Sequence, residues 1–60
     1  MDRFRQFVHP EQGSLVMCHW DADHGHWVCD SDRDGRFHQC VPSMVEMATE
    51  LREEGYEEHP

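Results

Sequence analysis

Two strand-like runs facing each other across a short turn constrain this chain more than any other feature. Ser14 to Asp21 and His26 to Asp32 are rich in Val, Trp and Cys, and Ala22-Asp23-His24-Gly25 separates them. Pairing Trp20 with Trp27 and Cys18 with Cys29 leaves Ala22 to Gly25 as the loop, a common hairpin length. A third run, Arg36 to Val41, follows Asp34-Gly35. Asp-Gly between strands favours a type I′ turn, in which both central residues take positive φ. That turn sets Arg33 against Arg36, Ser31 against His38 and Cys29 against Cys40. Pro42 then ends the sheet, and Ser43 with Glu46 forms an S-x-x-E capping box at the start of a helix. Met44, Met47, Ala48 and Leu51 follow at i, i+3, i+4 and i+7 as one apolar stripe, and Gly55 supplies a C-cap.

The flanks carry weaker signals. Phe4, Phe7 and Val8 have i, i+3, i+4 spacing before Pro10 and Gly13 end any regular element, so residues 1–13 read as a docking arm or short helix. Residues 55–60 read as a frayed tail. The expected fold is α+β: a three-stranded antiparallel meander over 14–41 followed by one packed helix over 43–54, in a single small domain spanning 1–60. A chain of 60 residues buries only about 60 % of its unfolded surface. That excludes a two-domain enzyme, a dinucleotide-binding fold and a repeat array.

Alternation along the strands divides the sheet into two faces. Val16, Cys18, Trp20, Trp27, Cys29, Ser31, His38 and Cys40 make the better core and are assigned to the helix stripe. Met17, His19, Asp21, His26, Val28, Asp30, Asp32, Phe37 and Gln39 fall on the other face. Uncovered by a single helix, that face is expected to meet a partner.

Charge narrows the partner. Thirteen acids against five bases give a net charge of −8 at pH 7, which repels nucleic-acid phosphates and acidic membrane surfaces. The five bases, Arg3, Arg5, Arg33, Arg36 and Arg52, are scattered rather than clustered. The longest apolar run is Leu15 to Cys18, against roughly 20 residues for a bilayer span. Met1-Asp2-Arg3-Phe4-Arg5 opens no secretory signal, so the expected address is cytoplasmic. The chain has no Lys, Ile or Asn, which hints at GC-rich coding and a bacterial or phage source.

Several constellations invite chemistry. Cys18, Cys29 and Cys40 recur at one interval, and with His38 they make a C-x10-C-x8-H-x-C set of zinc-type donors. The set lacks the C-x2-C knuckle that wraps a metal, so the thiols read better as small core hydrophobes, and no cofactor is expected. Asp30-Ser-Asp32-Arg-Asp34-Gly35 matches half of a calcium loop, but Val41 stands where the bidentate acid belongs. Ser31 faces His38 without the pocket, orienting acid and oxyanion donors of a nucleophilic site, so an enzyme is not expected.

The string His19-Trp20-Asp21-Ala22-Asp23-His24-Gly25-His26-Trp27-Val28, then Ser31-Asp32, Asp34-Gly35 and Ser43-Met44-Val45-Glu46-Met47, resembles HicB-like antitoxins and their single-domain relatives over residues 16–54. The resemblance implies a β-β-β-α half of a double-stranded-RNA-binding-type fold that binds a protein toxin rather than RNA. The chain has no counterpart of the C-terminal DNA-binding domain of fuller family members, so autorepression is not implied.

Together these readings describe a non-catalytic acidic module that inhibits a basic partner, a nuclease or nucleic-acid-binding complex. The setting is an antitoxin, or a phage-encoded inhibitor such as an anti-CRISPR protein, with a homodimer left open. The expected contact residues are Met17, Asp21, Asp23, Val28, Asp30, Asp32, Asp34, Phe37, Glu46 and Glu50. The alternative is a structural zinc module built on Cys18, Cys29, Cys40 and His38.

Overall fold

The computed structural model describes residues 3–33 and 35–59. Strands β1 (Phe4–Val8), β2 (Leu15–Asp21) and β3 (His26–Ser31) lead through a 3-10 turn at Gly35–Phe37 to β4 (Gln39–Val41). Helix α1 (Met44–Glu53) and strand β5 (Glu57–His59) follow. The strands form one five-stranded sheet in the order β4-β3-β2-β1-β5, antiparallel throughout.

The β2–β3 hairpin has the expected register, with Cys18 opposite Cys29 and Trp20 opposite Trp27. The N-terminal segment is neither arm nor helix. It is β1, antiparallel to β2 with Phe7 opposite Val16. Alternation sends Arg5 and Phe7 to the helix side and Phe4, Gln6 and Val8 to the other, so only Phe7 of the two phenylalanines is buried. The C-terminal segment is not frayed either, because β5 pairs along the free edge of β1 with Phe7 opposite Glu58. Arg5 donates to both carboxylate oxygens of Glu58, at 2.8 and 2.6 Å, in the bidentate geometry that makes such pairs strong.

The third strand departs from expectation by one residue. Cys29 faces Gln39, Val28 faces Cys40 and Trp27 faces Val41. Gly35 does not take the positive φ of a type I′ turn, and the 3-10 turn instead drives Phe37 into the core at 2 % exposure. A slip of one residue reverses every side chain that follows. Cys40 therefore lies exposed on the uncovered face, and His38 sits 3.2 Å from Asp30.

The helix forms where its signals place it, with Ser43 as N-cap bonded to Val45 rather than to Glu46 of the expected capping box. Ser43 Oγ accepts the Val45 N–H at 3.2 Å, and Met44, Met47, Ala48 and Leu51 are buried. At its end Gly55 takes φ +98°, its N–H donating to Arg52 O and the Tyr56 N–H to Leu51 O. This is a Schellman motif, with Tyr56 folded onto the Leu51 side of the core. His9 closes the same corner. Its Nδ1 accepts from the amides of Glu11 and Gln12, leaving Nε2–H to donate to Glu54 O at 3.1 Å.

The core beneath α1 joins Phe7, Val16, Cys18, Cys29, Phe37 and Tyr56 to the helix stripe. Trp20 and Trp27, expected at its centre, are half-buried instead and meet edge to face at 6.0 Å. Ser31 is also half-buried, and His38 is exposed. Among the described residues, no helix is long and apolar enough to cross a membrane.

Candidate functional site

The expected contact residues do not form one surface. Glu46 and Glu50 lie on α1, which covers one side of the sheet. Met17 and Val28 lie on the opposite, uncovered side, where Met17 is 43 % exposed beside Phe4 at 54 %. Asp30 joins that face but is engaged with His38. Asp32 lies at the far end of the sheet, where its Oδ1 accepts the Leu15 N–H at 2.9 Å. Phe37 is removed from the set, because its ring is core. Asp34 lies outside the described residues.

The helix side holds a concavity between the sheet edge and the helix. The free edge of β4 and the side of α1 enclose a groove of about 360 Å³. Val41, Pro42, Val45 and Met47 line it together with Glu46 and Glu50. Val45 is 74 % exposed at the rim of this groove. Glu50 also lines an adjoining recess with Glu53, Glu54, Arg36 and Phe37. Arg36 bonds Glu54 at 2.9 Å, so the recess is not uniformly anionic.

A second cluster sits at the β2–β3 tip, just past the end of the ladder where Trp27 faces Val41. Asp21 Oδ1 accepts the N–H groups of Asp23 and His24 at 3.1 and 3.3 Å. The Gly25 N–H donates to Asp21 O at 2.8 Å, with Gly25 at φ +68° closing the turn. The other oxygen, Asp21 Oδ2, meets His24 Nδ1 at 2.8 Å, and this bond holds the Asp21 carboxyl below its ordinary value. The His24 ring stacks on His26 at 5.6 Å. One donor atom each from Asp21, His24 and His26 lies within 4.8 Å of the others. Of the three, only Asp21 is among the contact residues expected from the sequence. The signal was D-x-x-H-x-H wrapped around a four-residue turn, which becomes visible as a cluster only once the hairpin register pairs Asp21 with His26.

The Cys/His zinc set does not assemble. Cys18 and Cys29 are buried under the helix, with Cys29 Sγ 3.9 Å from Met44 Sδ. Cys40 and His38 are exposed on the other side of the β3–β4 slip. The hydrogen bond with Cys29, and then burial, push the Cys18 thiol well above its ordinary value.

Comparison of the chain with protein-family models, with curated proteins and with solved structures gives no match.

Proposed function

We propose that this protein is a non-catalytic, acidic binding module that inhibits a basic, nucleic-acid-handling protein by holding one of its cationic segments in the β4–α1 groove. The observation that carries this reading is the groove's composition: an apolar floor of Val41, Pro42, Val45 and Met47 beside the carboxylates of Glu46 and Glu50. An arginine or lysine lays its methylenes on such a floor while its charge reaches the acids. The free edge of β4 offers main-chain groups to an extended segment, a recurring mode of peptide recognition. A partner held this way has its phosphate-binding groups occupied. The net charge of −8 supports the same reading through faster encounter with a cationic surface. Asp23 and Asp30 then steer, and Glu46 and Glu50 dock. The antitoxin setting that the HicB-like resemblance implies and the phage-inhibitor setting both fit this chemistry.

The test is affinity capture from source-cell extract with wild type and with Glu46→Arg/Glu50→Arg. The expected result is a basic protein that wild type retains, that loses nucleic-acid binding when wild type is present, and that the double variant releases. Equal retention by the two, or a retained protein that still binds nucleic acid, would sink the reading.

A further inference from the structure

The tip of the β2–β3 hairpin begins one residue beyond Trp27, the partner of the groove residue Val41, and carries a different chemistry from the groove. We propose that Asp21, His24 and His26 bind a divalent transition-metal ion of the zinc type. Their donor atoms already lie within 4.8 Å of one another, so little rearrangement separates the folded tip from a coordinating one. The turn does the positioning. Asp21 Oδ1 is committed to the amides of Asp23 and His24, which leaves Oδ2 aimed at the His24 ring. His26 stands directly opposite Asp21 in the ladder, which fixes its side of the sheet.

A second, independent observation concerns His26. Among the described residues, its Nδ1 is the one buried side-chain polar atom without a hydrogen-bond partner. A shielded imidazole nitrogen without a protein hydrogen-bond partner is costly, and a metal ion at the tip would satisfy it if it bound through that nitrogen. The donor set selects the ion. Two imidazoles and one carboxylate suit zinc and its first-row neighbours, whereas calcium takes six or more oxygens and magnesium retains water. Three protein ligands leave a position for water or for a donor from another molecule, as in open zinc sites. The thiols play no part, since Cys18 and Cys29 are under the helix.

The test uses the full chain, reduced and stripped with a chelator, titrated with zinc alone by calorimetry and with cobalt alone by absorption. The expected result is saturation at one equivalent, with zinc-induced shifts in the imidazole resonances of His24 and His26 and no thiolate-to-cobalt charge-transfer band. His24→Gln and His26→Gln each weaken zinc binding about tenfold or more, as losses around a metal commonly do. Asp21→Asn does the same while keeping the Oδ1 acceptor that the turn requires, and circular dichroism verifies that each variant is folded. Cys40→Ser and His38→Gln bind as wild type does. Binding that does not saturate at one equivalent, that shows thiolate bands, or that leaves the wild-type His24 and His26 resonances unmoved would overturn the proposal.

Discussion

The β2–β3 and β3–β4 connections join neighbouring strands of one sheet by opposite means. At the β2–β3 tip the chain holds itself. The Asp21 carboxylate accepts two loop amides, Gly25 supplies the positive φ, and no loop side chain enters the core. Between β3 and β4 the anchor is tertiary. The Phe37 ring is buried, lies edge-on to Tyr56 at 5.6 Å and carries the Arg36 guanidinium at 5.2 Å. A locally held turn writes the strand register into its own residues. A connection anchored by a buried ring, beside its own His38 N–H to Gly35 O bond, ties the register to the core. Here β4 lies one residue from the register of a two-residue turn.

The contrast can be broken from its tertiary side. Phe37→Ala is expected to cost about 3–5 kcal/mol, which approaches the whole stability of a domain this small. Its amide spectrum should lose dispersion, whereas Phe37→Leu should keep it. A folded Phe37→Ala protein with unchanged β3–β4 pairing would show that the strand, not the ring, sets the register.

Gly55→Ala attacks the same end of the molecule through the backbone. Gly55 sits at φ +98°, and a Cβ there would meet His9 Nε2 at 2.8 Å. The expected loss exceeds the roughly 1–2 kcal/mol of a left-handed non-glycine residue, because His9 must also give up its place. Gly25→Ala makes the matched experiment at the tip, where φ is +68° and nothing lies within 4 Å of the added carbon. Only the backbone term remains, about 1 kcal/mol in a denaturant titration. Equal losses at the two glycines would remove the distinction between a crowded corner and an open one.

The smallest effect is one of pH. Hydrogen bonds from His24 and Arg5 hold Asp21 and Glu58 respectively below their ordinary values. A carboxyl whose folded value is depressed contributes stability above its unfolded value and loses it as pH falls through the folded value. Unfolding midpoints should therefore drop on the acid side of the ordinary carboxylate range. Asp21→Asn and Glu58→Gln should each flatten that drop, Asp21 modestly because it is at the surface. Parallel profiles for wild type and both variants would contradict the assignment.

What the sequence made legible follows the same division between local and distant causes. The β2–β3 register is readable because Cys18, Cys29, Trp20 and Trp27 repeat across the turn. The helix is readable because Ser43, its apolar stripe and Gly55 each signal within a few residues. Phe4, Phe7 and Val8 fit one turn of helix as well as a strand, and only the free edge of β2 decides between them. Glu57, Glu58 and His59 carry no apolar alternation at all. Their strand is made by main-chain pairing with β1 and by the bond from Arg5, neither of which a local pattern announces. Glu46 and Glu50 could be picked out as acids, but their groove exists only once β4 has been placed beside the helix.

The pairing of β1 with β5 also sets an order of events. Gln6 meets His59, so this edge of the sheet closes only when segments from the two flanks of the chain find each other. The entropy of such a closure is lost before its contacts are gained, while the β2–β3 hairpin closes over a four-residue loop on a microsecond scale of roughly 1–10 μs. Hairpin first and edge last is the expected sequence. The chain carries its own reporters for both stages, since its two tryptophans, Trp20 and Trp27, face each other in the hairpin and its single tyrosine, Tyr56, leads into β5. In a stopped-flow trace, tryptophan emission should settle before tyrosine emission does.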